Sequence, residues 1–236
     1  MSGGVGGSSM AALQDRLARL QLAQIAHRHR ALILFEGWEG SGRRAALRRL
    51  SAAWDPCHFT AHCAPEVDKS GRHWLARYWS ALPEAGSTVM FHQSWYGPLV
   101  ADRAHSRLTD KAWARRCDEI NEFEAQQRDH GTLVVKLFMD ISPATQTERI
   151  AAIEADPWRR ALRTPIVRAQ PPREALQAAW SELFAQTDTR WAPWHLIDAN
   201  DREAGEAAGL GAIAEALEKN VPLDPPADPA ELQRAG

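Results

Sequence analysis

The stretch LILFEGWEGSGRR, residues 32–44, decides the fold. A short apolar run over 31–35 reads as a buried strand. It stops at Glu36-Gly37, and glycines at 37, 40 and 42 make the turn that follows. Ala45, Ala46, Leu47 and Leu50 then recur at helical spacing. In a strand, glycine-rich turn and helix, backbone N–H groups and the positive helix end converge on a phosphate. The pattern G-x-x-x-x-G-K-[ST] is met at Gly37 and Gly42, but Arg43 fills the lysine slot and Arg44 the Ser/Thr slot. The plain alternative is a glycine-rich turn that binds nothing.

Working outward, Leu13, Leu17 and Leu20 predict an amphipathic helix over 11–28, after a Gly/Ser-rich, mobile N-terminus. The helix after the turn should end near Trp54, because Pro56 forbids its continuation. CHFTAHC at 57–63 invites a zinc reading. As a strand, it would put Cys57 and Cys63 on one face and His58 and His62 on the other, so four ligands could not converge. A second strand is the better expectation. Leu75, Tyr78, Trp79 and Leu82 mark a helix ending at Pro83, and 88–91 a third strand. Residues 109–129 read as a long helix with Trp113, Cys117 and Ile120 on one face. The run 132–141 reads as a strand, followed by a helix with Ser142 at its N-cap and Pro143 in its first turn. Lys136 lies mid-strand and should be paired. Residues 156–173 form an arginine- and proline-rich connector, either a solvated loop or a lid over phosphates. Helices over 174–186 and 203–218 enclose a last strand at 195–199, and the proline-rich tail should be disordered.

Strands alternating with helices imply an α/β fold with one parallel sheet covered on both faces. Its ligand crevice should lie at the carboxyl ends of the strands, beside the glycine-rich turn. The 236 residues suffice for a sizeable core, and 28 basic against 30 acidic residues leave no global footprint for nucleic acid. Three cysteines do not suggest a disulfide framework. The N-terminus does not read as a secretion signal, and no apolar run approaches the ~20 residues that cross a bilayer. A cytoplasmic protein away from membranes is the expectation.

Several motifs occur in a shared order. FEGWEGSG (35–42), RYWSALPEAG (77–86), FHQSWYGPLVADR (91–103), INEFE (120–124), VVKLFMDIS (134–142) and TDTRWAPWHLIDANDR (187–202) together resemble the type-2 polyphosphate kinase family. The Trp-Tyr-Gly and Glu-Phe-Glu versions most resemble members that phosphorylate AMP. The resemblance implies a P-loop three-layer sandwich over 11–218 with a helical lid at about 149–173, between a flexible 1–10 and a disordered 219–236. It implies phosphoryl transfer between inorganic polyphosphate and AMP, ADP or ATP, with Mg²⁺ or Mn²⁺. It assigns Gly37, Gly40, Ser41, Gly42, Arg43, Arg44, Arg159 and Arg160 to phosphate, Glu39 and Arg43 to catalysis, and Glu39 to the metal. A homo-oligomer, or assembly with an active relative, is expected.

The departures bear on chemistry. The family's loop aspartate is Glu39, and its lysine is Arg43. The acidic-motif aspartate is His92, and neighbouring arginines are Gln93 and Pro98. Neutral imidazole is a poor ligand for Mg²⁺, which prefers oxygen. In the lid, the family's Trp-Lys and later Asp correspond to Ala161, Leu162 and Val167, while Arg159 and Arg160 remain. Two readings follow: an altered phosphotransferase using Glu39 and Arg43, or a binding subunit that has lost the chemistry. A relic scaffold that binds nothing is the third.

Overall fold

The computed structural model describes residues 5–63, 71–161 and 171–227. Five strands form one sheet in the order β2-β3-β1-β4-β5, with every neighbouring pair parallel. They are β1 (Arg30–Gly37), β2 (Phe59–Cys63), β3 (Thr88–His92), β4 (Thr132–Asp140) and β5 (Trp194–Asp198). The central strand β1 is flanked by β3 and β4, which the chain reaches in opposite directions along the sheet. Such a reversal opens a crevice at the carboxyl ends of the strands. Leu32, Ile33, Leu34 and Phe35 are fully buried, as a continuous apolar run in a doubly covered sheet requires.

Helices α1 (Val5–Ala26) and α2 (Arg43–Ala53) cover one face of the sheet together with the last helix. On the other face lie α4 (Tyr96–Ala104), α5 (Asp110–Asp129) and α8 (Arg173–Thr187). The remaining helices are α3 (Ala76–Trp79), α6 (Pro143–Ala155), α7 (Pro157–Ala161) and α9 (Arg202–Asn220).

Local chemistry sets the helix ends. Thr109 Oγ1 accepts from the Ala112 N–H at 3.2 Å, and Ser142 Oγ accepts from the Thr145 N–H at 3.1 Å. Trp113, Cys117 and Ile120 form the buried stripe of α5. The helix expected from Leu75 to Pro83 is only the single turn α3. Pro83 bars helical backbone at Leu82, which leaves too few residues to propagate a helix. Cys57 falls on a 3-10 turn, Pro56–His58, ahead of the strand, so alternation applies only from Phe59. The last helix reaches Asn220 and Val221 is buried, so the chain stays ordered past the expected tail boundary at 219. Residues 228–236 and the middle of the expected lid, 162–170 with Leu162 and Val167, lie outside the described residues.

One polar cluster crosses the core. Lys136 on β4 and Glu124 on α5 are both fully buried and meet at 3.0 Å. The Tyr96 hydroxyl donates to Glu124 at 2.6 Å, and Lys136 also donates to the Thr187 carbonyl at 2.7 Å. The cluster therefore ties β4 to α4, α5 and the end of α8. Glu122, its neighbour in sequence, is exposed on the helix face.

Lys136→Met is expected to lower unfolding free energy by about 3–5 kcal/mol, because it strands a buried carboxylate. Urea unfolding should show this as a lower midpoint at unchanged slope. The paired change Lys136→Met with Glu124→Leu should recover most of the loss.

Candidate phosphate-binding site

Strand β1 ends at Gly37, and α2 begins at Arg43, so residues 37–42 span the mouth of the crevice. The three glycines have positive φ, at 134°, 81° and 97° for Gly37, Gly40 and Gly42. Only Gly37 is also sterically forced, since a Cβ there would stand 2.3 Å from the Met139 carbonyl oxygen on β4. At the start of α2, Ala45 and Ala46 both donate back to the Gly42 carbonyl. The N–H groups ahead of them have no partner within the helix and form its positive end. Ser41 lies within the loop with its Oγ buried and unpartnered.

The loop is held from both sides. The buried Glu36 Oε1 accepts from the Ser94 N–H at 2.6 Å and the Ser94 hydroxyl at 2.8 Å. This joins the end of β1 to the turn after β3, where Phe35 and His92 are register partners. Gln93 follows at φ 68°, a left-handed conformation unfavourable for a side chain, pinned by its N–H bond to the Phe35 carbonyl at 3.2 Å. Trp95 and Tyr96, fully buried, anchor the turn. From the other side, α6 sends Gln146 to the Glu39 carbonyl at 3.3 Å and Arg149 to the Gly40 carbonyl at 3.2 Å. Trp38, within the loop, donates to Asp140 at 2.5 Å and lies 4.0 Å beneath the Arg173 guanidinium.

The predicted residues converge unevenly. Arg43 is buried and faces Glu36 Oε2 across 3.9 Å. Burial pushes the Glu36 carboxyl up and the Arg43 guanidinium down, each opposed by attraction to the other. Glu39 is half-buried and adds its negative charge to the field at Arg43, while Arg44 is exposed at the helix start. His92 stands at the end of β3, with its proton affinity pushed down to about 3 by burial and then by the charges of Arg43 and Arg44. It is therefore a neutral imidazole, and its buried Nδ1 has no partner. Arg159 and Arg160 are exposed on α7, and Arg159 pairs with Asp156 at the start of its own helix at 3.2 Å. Of the loop supports, Glu36 and Ser94 lie within the motifs FEGWEGSG and FHQSWYGPLVADR, whereas Gln146 and Arg149 carry no pattern of their own in the sequence. A carboxylate closing an apolar strand, as at Glu36, was the available signal.

A cleft of about 550 Å³ adjoins the loop through Trp38. Phe138, Trp180 and Phe184 give it aromatic walls, and Asp140 and Asn200 stand among its polar residues.

This geometry does not suit Mg²⁺. The Ser/Thr slot that supplies its oxygen in G-x-x-x-x-G-K-[ST] is a guanidinium, and the end of β3 presents nitrogen. Among the described residues no group of three or more His, Cys, Asp or Glu side chains is placed to hold a metal.

The family model described as Polyphosphate kinase 2 (PPK2) matches residues 4–222. The chain belongs to the polyphosphate kinase 2 family. A polyphosphate:AMP phosphotransferase of Pseudomonas syringae pv. tomato is 34% identical over 199 residues, 83% of this chain and 40% of that protein. ADP-polyphosphate phosphotransferase 2 of Rhizobium meliloti is 28% identical, over 92% of this chain and 70% of that one. The crystal structure of polyphosphate kinase 2 from Arthrobacter aurescens superposes with a TM-score of 0.86 at 25% identity, covering 99% of this chain and 87% of that one. The chain spans less than half the length of the polyphosphate:AMP phosphotransferases it matches, 40% and 43% in the two Pseudomonas proteins. No helix of the described residues is long and apolar enough to cross a membrane.

Two stability measurements check this family member's loop. Gly37→Ala should displace β1 from β4, whereas Gly42→Ala, with nothing within 4 Å of its Cβ, should cost only the backbone strain of about 1–2 kcal/mol. A neutral His92 also sets a pH dependence. Below about 6.5 the unfolded chain binds a proton that the folded chain refuses, so stability falls as pH drops from there towards 3. His92→Asn should flatten that decline, by at most about 1.4 kcal/mol per pH unit, in urea titrations across the window.

Proposed function

We propose that this polyphosphate kinase 2 family member binds inorganic polyphosphate and an adenine nucleotide, with transfer between them strongly impaired. Binding falls to the backbone of Gly37, Gly40, Ser41 and Gly42 and to the cations Arg43 and Arg44, with Arg159 and Arg160 closing from the connector. Polyphosphate and AMP, ADP or ATP are the ligands in this reading, and a homo-oligomer or an assembly with an active relative is its assembly. The names of the matched relatives support the substrate class, since they transfer phosphate between polyphosphate and AMP, ADP or GDP.

The neutral His92 at the carboxyl end of β3 is the observation behind the loss of chemistry. Phosphoryl transfer asks a protein for positioning and for neutralisation of developing charge, by metal and cations together. An imidazole there cannot stand in for an oxygen ligand of Mg²⁺, and Gln93 in the turn and Pro98 at the start of α4 stand where the resemblance implies two cations. Losing one well-placed electrostatic group costs on the order of 100- to 1,000-fold in rate.

The second reading is an altered phosphotransferase, favoured by the half-buried Glu39 within the loop. There Glu39 holds Mg²⁺ or Mn²⁺, and Arg43 bridges the phosphates. The aromatic cleft beside Trp38 supports nucleotide binding in either case, because flat apolar walls with a few polar groups suit a nucleobase.

Nucleotide-dependent consumption of polyphosphate, measured with Mg²⁺ and with Mn²⁺, separates these readings. The expected result is saturable binding with turnover at least about 100-fold below that of an active relative assayed alongside. Turnover at the relative's own rate, abolished by Glu39→Gln, would replace this proposal with the second reading.

A further inference from the structure

Two positions at the loop lack the oxygen ligand that a divalent cation needs. Arg44 fills the slot whose hydroxyl takes Mg²⁺ in G-x-x-x-x-G-K-[ST]. His92 ends the neighbouring strand where the family resemblance implies an aspartate. One negative charge is gone and one positive charge is added, and together these equal what a divalent ion would bring. The carboxylates of Glu36 and Glu39 are balanced by Arg43 and Arg44, so the loop has no surplus of negative charge to attract such an ion.

The unpartnered buried atoms point the same way. Ser41 Oγ and His92 Nδ1 are both buried without a partner, and Ser41 is 1% exposed. A hydroxyl and a neutral imidazole can each donate a hydrogen bond, so both suit an anion. Another unpartnered atom beside the loop, Glu36 Oε2, faces the Arg43 guanidinium at 3.9 Å, which answers its charge. Arg43, Arg44, the Ser41 hydroxyl, the glycine amides and the N-terminus of α2 all belong to residues 37–44, beside the strand that His92 ends.

We infer that this loop binds a linear condensed phosphate without a divalent cation, Arg43 and Arg44 taking the charge-neutralising place of the metal. The inference rests on the phosphate-binding reading above and adds a property to it. Free Mg²⁺ then competes, because it complexes the phosphate chain and lowers its charge.

Calorimetric titration of the full chain with tripolyphosphate tests this, once in EDTA and once in Mg²⁺. Affinity in EDTA equal to or tighter than that in Mg²⁺ is expected. Arg44 is exposed, so Arg44→Ser removes a cation without opening the core, and should weaken binding in EDTA about tenfold or more. Adding His92→Asp to Arg44→Ser should make binding require Mg²⁺. Electron paramagnetic resonance of Mn²⁺ with the phosphate-free protein should show an undiminished free-ion signal. Binding of tripolyphosphate only when Mg²⁺ is present, or tight Mn²⁺ uptake by the free protein, overturns the inference and leaves the phosphate-binding reading standing. Absence of binding under both conditions removes that reading and the inference with it.

Discussion

Glu36 ends the central strand inside the protein, where Oε1 takes two hydrogen bonds from Ser94 and Oε2 faces Arg43 across 3.9 Å. A buried carboxylate is costly unless it is paired and hydrogen-bonded, so these partners have little freedom to move apart. Their positions set the rest of the site. Ser94 fixes the turn after β3 and with it His92, while Arg43 fixes the first turn of α2. The loop between them is short, and Gly37 leaves room for the β4 carbonyl it crosses. The crevice is therefore shaped by one interaction beneath its floor.

That arrangement keeps the cradle while altering its charge. In a metal-dependent phosphate site, carboxylates gather a cation, and the cation gathers phosphate. Here one guanidinium, that of Arg44, stands where a hydroxyl ligand would, and the neighbouring strand ends in an imidazole that burial and nearby charge keep neutral. An arginine is a planar fork suited to phosphate oxygens, but it holds them as a clamp and does not polarise a reacting group as a metal does. Binding and turnover can separate on this basis, since binding needs only charge and geometry in the ground state.

Much of the fold was legible because its signals are local. The apolar run at 31–35, the glycines at 37, 40 and 42 and the cap at Ser142 each specify a backbone conformation from a few residues. The pairing of Lys136 was readable too, because a charge in the middle of an apolar strand must find a partner. Its partner was not, since Glu124 comes from a helix with exposed charges of its own, including Glu122. The single turn at Ala76–Trp79 looked like a longer helix because apolar spacing does not reveal where propagation stops. Within the site, the loop and its arginines were legible, and the loop sits beside the end of β3 as the strand order requires. The braces were not legible. Gln146 and Arg149 act by reaching across the fold, and nothing in their local sequence records that reach.

Amide hydrogen exchange of the loop, read by mass spectrometry with and without saturating tripolyphosphate, tests the central claim most directly. Slower exchange confined to peptides covering residues 38–47 is the result this account predicts, because the amides of Arg43 and Arg44, ahead of those that bond back to Gly42, would be donating to phosphate. Unchanged exchange there at ligand saturation, with protection elsewhere in the chain, would contradict it.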